Sequence, residues 1–185
     1  MTFAPLGENV PVTGPPPEPL RRIPDPGFAG DTGEAPTALT DALAAYAGDP
    51  TAAWPQVLAA LQAARLLVPV VAVLGEVEHD EAGLAHDKSS DMAAVLLRGG
   101  DGRLALLAFT STAALTAWNP EGRPVPVPSR VAAQSALQEG AAALVVDVAG
   151  PLTVVVEGED LHGLARGWRL ARIGDRAAWI RPDPE

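Results

Sequence analysis

Apolar and polar positions alternate between two periods along this chain. From Thr37 the spacing is helical: Leu39, Leu43 and Tyr46 share a face of "TALTDALAAYAG". Thr37 is placed to cap that helix and Gly48 to stop it. A second helical stripe follows, Val57, Leu58, Leu61 and Ala64 in "DPTAAWPQVLAALQAAR", with Asp49 or Thr51 as its cap. Pro55 is expected in the first turn, where a missing N–H does least harm. The period then collapses. "RLLVPVVAVLG" is almost wholly apolar and β-branched, as a strand buried on both faces must be. Pro69 removes a ladder donor there, which predicts an edge or a bulge.

Residues 76–90 are polar and acidic and read as a loop. "SDMAAVLLR", the turn "GGDG" and "RLALLAFTS" form a strand hairpin. Thr110 or Ser111 caps a short helix ending at Trp118. "VPVP" is extended, and Ser129 caps a helix with Val131, Ala132, Ser135 and Leu137 or Gln138 along it, stopped at Gly140. "AALVVDVAGPLTVVVEG" is a second hairpin, "EDLHGLARG" a short helix and "WRLARIGDRAAWIR" a last hairpin. Interleaved helices and hairpins predict an α+β domain: a mixed, mainly antiparallel sheet with short helices and an N-terminal helical pair.

Residues 1–36 differ from this body. Eight of the 19 prolines precede Pro36, and little there is apolar, so this segment reads as an extended or disordered tail before a single domain spanning 37–185. Within it, Ile23 and Phe28 of "RRIPDPGFAGD" are placed to dock on the body. The Pro16–Pro19 spacing matches P-x-x-P, a weak pattern better explained by a solvated proline-rich tail.

Composition narrows the chemistry. The chain has no cysteine, which excludes disulfides and thiolate catalysis and fits a reducing cytoplasm. No secretory signal pattern is visible, and the longest apolar run, Leu66–Gly75, falls short of the about 20 residues a membrane helix needs. A net charge of −10 argues against duplex nucleic acid as the partner. Twelve arginines stand against one lysine, a mark of GC-rich coding.

That lysine, Lys88, stands beside Ser89, Ser90 and Asp91, a grouping that raises a serine nucleophile with an amine base. Adjacent strand residues diverge, and Asp87 and Asp91 hold the amine charged, so a polar loop entering a strand is the better reading. The same four residues, with the partly exposed Trp118, are the candidate interaction surface; Phe109 is expected in the core. His79, Asp80, Glu81, His86 and Asp87 offer metal-ligand chemistry but no periodicity that converges them, so no metal and no cofactor is expected. His162 reads as a partly exposed helix residue. Arg166, Arg169, Arg172 and Arg176, accompanied by Arg181, Trp168 and Trp179, form an anion-facing candidate; a hairpin with tryptophan inward and arginine outward explains the same pattern.

Seven segments in order carry a family resemblance: "RIPDPGFAGD", "ALAAYAGDP" with "VLAAL", "ARLLVPVVAVLGEVE", "KSSDMA", "LLAFTSTAALTAW", "RPVPVPS", and "GAAALVVDVAGP" with "VVEG". They resemble the actinobacterial branch of the SseB family, named for a serine-sensitivity phenotype rather than a reaction. The leading 20 residues and Pro55 depart from the family pattern. The resemblance implies a cytoplasmic α+β domain with no catalytic residues to carry over. The reading is a non-enzymatic interaction or regulatory module with an unidentified protein partner. The alternative is a binder of an amino-acid-like small molecule, or a weakly marked enzyme, needing Lys88, Ser90 or Arg123 in one pocket.

Overall fold

The computed structural model describes residue 28 and residues 30–74, 90–173 and 176–181. Helix α1 (Thr37–Gly48) and helix α2 (Pro50–Ala63) are joined by Asp49 alone. The Asp49 carboxylate accepts from the Thr51 and Ala52 N–H groups at 3.1 Å each, so it is the cap of α2. This early start corrects one expectation. Pro50 takes the first helical position, which leaves Pro55 in the second turn, buried against the core. A second correction concerns α1: Thr37 is its first helical residue, and Pro36 occupies the cap position. The predicted stripe of α2 is buried, from Val57 to Ala64.

Strand β1 (Arg65–Leu74) lies between β2 (Ser90–Ala94) and β5 (Arg123–Pro128), antiparallel to both. Pro124, Pro126 and Pro128 alternate along β5, so their missing donors all fall on one side. The other side bonds β1, as Ser129 N–H does to the Ala64 carbonyl at 3.0 Å. An edge strand of this kind cannot recruit a further strand on its outer side. Pro69 sits on a central strand, not an edge. Its missing donor faces Val95, the break between β2 and β3 (Leu96–Arg98), and its carbonyl accepts from Val95 N–H at 3.1 Å.

A second sheet runs β3, β4 (Leu104–Ala108), β6 (Ala143–Val146), β7 (Val154–Glu157). Within it only β4 and β6 are parallel. The two sheets meet where Leu67 and Phe109 exchange backbone bonds at 2.8 Å. Helix α3 (Thr112–Trp118) is capped by Ser111, whose Oγ accepts from Ala114 N–H at 3.1 Å. In helix α4 (Ser129–Gln138), Ser129 is helical rather than a cap; its Oγ donates to the Ala64 carbonyl at 3.0 Å. The buried stripe of α4 is Ala132, Ala133 and Ala136; of the predicted positions Ala132 is buried, while Val131, Ser135 and Leu137 are only partly buried and Gln138 is exposed, because Ser129 faces inward. Gly140 ends it in the left-handed region, φ 69°, with Ala141 N–H reaching the Ala136 carbonyl. Helix α5 (Gly158–Arg166) and the hairpin β8 (Arg169–Ile173) with β9 (Arg176–Ile180) complete the α+β fold. The main core lies between α2, α4, α5 and one face of the second sheet, around Leu58, Leu61, Leu106, Leu144, Val156 and Leu164.

Candidate functional site

At the carboxyl ends of the parallel pair β4 and β6, four polar side chains meet. The guanidinium of Arg65, 8% exposed, binds both Asp31 oxygens, Nε at 2.6 Å and Nη2 at 2.9 Å. It also donates to the backbone carbonyls of Thr110 and, at 2.6 Å, Glu34. Behind it, Asp147 accepts from the Thr110 N–H at 2.9 Å, and its carboxylate meets the Thr110 hydroxyl at 2.7 Å. Burial pushes the Asp147 carboxyl above its ordinary value against the pull of these two bonds. Asp31 goes the other way, lowered by its bond to Arg65 and then by the Gly33 N–H. Among the described residues no buried side-chain nitrogen or oxygen lacks a partner. Thr110 is 4% exposed, and its hydroxyl is engaged by the carboxylate beside it. This junction is a structural clasp: it pins the segment around Asp31 and Glu34 to β1 and to the end of β4.

The open surface is on the outer face of the second sheet. Side chains of odd-numbered residues in β3, β4 and β6 point away from the main core. Helix α3 covers one end of that face, where Leu107, Phe109, Leu115 and Val145 are buried. Beyond it lies a trough of about 280 Å³ floored by Ala105 and Ala143 and walled by Leu97 and Val155, which are 42% and 44% exposed. Arg103 closes its far end, paired with Asp101 at 2.6 Å and Glu157 at 3.0 Å.

A third feature lies on α5 and the last hairpin. Trp168 is buried beneath two guanidinium groups, Arg181 at 4.5 Å and Arg166 at 5.6 Å from the ring centre. A cavity of about 530 Å³ there is also lined by His162 and Glu159. Nearby, Asp160 accepts from two indoles, Trp54 Nε1 at 2.8 Å and Trp179 Nε1 at 2.7 Å, tying α2 and β9 to α5. Trp179 packs flat enough on Gly163 that a Cβ there would lie 2.3 Å from the ring.

The sequence-predicted residues are dispersed. Lys88 and Ser89 lie outside the described residues, as do Ile23 and the histidine-bearing loop 79–87. Ser90 and Asp91 pair with Leu74 and Val73. Trp118 is half-buried, with its ring 5.4 Å from Phe109, which bridges to Leu67. Val73 lies six residue steps beyond Leu67 along β1, about 20 Å, so Trp118 and Asp91 do not form one cluster. Phe109 is fully buried, and Arg123 is exposed. Of the anion-facing arginines, Arg166 overhangs the Trp168 cavity, while Arg169 and Arg172 are exposed on opposite faces of β8. Arg176 pairs with Ile173 at the start of β9.

Sequence reading missed the clasp and the Asp160 tie. A signal existed for the first: Asp147 interrupts the apolar run "ALVVDVAG", and a carboxylate in such a strand needs a partner. None existed for the second, whose Trp54 and Asp160 are 106 residues apart.

No helix among the described residues is long and apolar enough to cross a membrane. No curated protein and no solved structure matches the chain. The family model of the SseB protein N-terminal domain does match, over residues 39–163, taking in both sheets, the helical pair and most of α5. The chain therefore belongs to the SseB family.

Proposed function

We propose that this SseB domain is a non-enzymatic protein-interaction module and that its partner docks on the outer face of the second sheet. One observation carries the reading: Leu97 and Val155 stand 42% and 44% exposed over a floor of Ala105 and Ala143, while the opposite face of the same strands is buried. Small floor residues between taller apolar walls accept a partner's side chains and release ordered water when covered. Half-buried Trp118 sits at the α3 end of this face. Ser90 and Asp91, on β2 of the other sheet, and their sequence neighbours Lys88 and Ser89, which lie outside the described residues, belong to the proposal as a separate contact. A cytoplasmic location and the actinobacterial branch are part of the same reading, supported by the absence of cysteine and by twelve arginines to one lysine.

A photo-crosslinking amino acid placed at Leu97 or Val155 tests the docking face in the source cell. One discrete protein adduct, lost on Ala105→Glu and retained on Lys88→Ala, supports it. Labelling no different from that of a residue on the solvent side of α1 overturns it.

A second reading has its own observation: the Trp168 cavity, where Arg166 and Arg181 converge with His162, suits a small anion. Binding of inorganic phosphate that weakens steeply with salt and disappears in Arg166→Ala supports it. Binding unchanged in that variant removes it.

A further inference from the structure

A hollow of about 440 Å³ adjoins the trough, and Val155 and Glu157 line both. Its remaining walls include Tyr46, Trp54 and Asp160. We propose that this hollow receives a cationic side chain, an arginine or lysine, carried by the partner that docks on the trough. The proposal rests on the docking reading for its partner, and on separate residues for its chemistry.

The two aromatic rings meet at a tilted corner, 5.6 Å apart at 49°, and both line the hollow. An electron-rich ring face bordering the hollow attracts a cation. Asp160 stands at the same corner. Its two oxygens are fixed by the Trp54 and Trp179 indole N–H groups, and no cationic side chain lies within ion-pairing distance of it among the described residues. The carboxylate is thus half-buried, held in place by neutral donors, and without a counter-charge among the described residues. Glu157 adds a second carboxylate, engaged on one oxygen by Arg103. A guanidinium suits the site best, because it can lie flat on an indole while its edge faces a carboxylate. The net charge of −10 draws cationic segments toward the surface from further away.

The contact with the trough gives the partner a sequence character. An apolar side chain over Ala105 and Ala143 and a basic one beyond Val155 would lie on one continuous segment crossing β7.

The test uses the full chain and two small probes, N-acetyl-arginine amide and its neutral citrulline counterpart, followed by the indole N–H and tyrosine ring signals in NMR spectra. The expected result is a saturable shift of the Trp54 indole and Tyr46 ring with the arginine probe and none with citrulline. Tyr46→Ala should weaken the arginine probe at least about fivefold while the Trp179 indole signal keeps its position. Equal responses to the two probes, or no saturable shift with arginine, overturn the proposal. The crosslinking experiment at Leu97 separates the two ideas: a partner adduct with no arginine response removes the cation site alone, and an arginine response with no adduct removes the docking face alone.

Discussion

The two faces of the four-stranded sheet are made of similar residues and meet different fates. On the inner face Leu106, Leu144, Val154 and Val156 are all at most 1% exposed, sealed by α2, α4 and α5. On the outer face α3 supplies only seven residues of cover, and it reaches Leu107 and Phe109 but not Leu97 or Val155. The difference lies in the covering elements. The alanine stripe of α4 and the glycine of α5 beneath Trp179 permit close approach on the inner side. A short helix held by one serine cap leaves the other side partly bare. Apolar pattern alone therefore says which side chains stand on one face, and the length and position of the cover say which of them meet water.

Truncation on the inner face should have the largest effect. Leu144→Ala leaves a cavity under α4 and should cost about 3 kcal/mol, read as a fall of roughly 6–12 °C in thermal midpoint. Arg65→Gln comes next. It frees both Asp31 oxygens and two backbone carbonyls from their donor, at about 2 to 3 kcal/mol in chemical denaturation. The same variant has a pH signature. Asp31 is held below its ordinary value in the fold, so its contribution is present above the unfolded carboxylate range and is lost as pH falls through the lower folded value. Wild type should lose stability across that acid window more steeply than Arg65→Gln, measured by urea midpoints from neutral pH downward.

Gly163→Ala should cost about 2 kcal/mol, because its Cβ meets the Trp179 ring and loosens the cover of the inner face. Asp147→Asn should be nearly silent at neutral pH, within about 1 kcal/mol. Asparagine tolerates the φ of 56°, can still accept from Thr110 N–H and carries no charge to desolvate. Its wild-type carboxyl is raised in the fold, so its favourable contribution is complete below the unfolded value and declines as pH rises through the folded one. The smallest stability change belongs to the outer face: Leu97→Ser and Val155→Thr should each stay within about 0.5 kcal/mol while abolishing partner capture. A large loss of stability in either variant would mean that the outer face serves folding, and the contrast between the faces would dissolve.

Local pattern was a good guide wherever local forces decide. The stripe of Val57, Leu58, Leu61 and Ala64, the "GGDG" turn, the Ser111 cap and the left-handed Gly140 all follow from short-range periodicity and turn chemistry. The misses share a cause. Pro55 and Ser129 took other places because competing caps and an inward hydrogen bond to Ala64 shifted the helix starts. The candidate site was the least legible part. Lys88 and Asp91 stand out by rarity and charge, yet the floor and walls of the trough, Ala105, Ala143, Leu97 and Val155, have nothing unusual about them in the sequence.

By itself the chain determined its inventory: no thiol chemistry, an alternation of helices and hairpins, a proline-rich lead and a family signature spread over most of the body. Hydrogen bonding and side-chain periodicity act over a few residues, so such features are written locally. Tertiary structure alone decided that Arg65 would clasp Asp31 and Asp147 would hold Thr110. It alone brought Trp54 to Asp160, and it alone left one sheet face partly uncovered. Those outcomes depend on where segments distant in sequence come to rest, because burial and electrostatic pairing are properties of the assembled packing, not of any stretch within it.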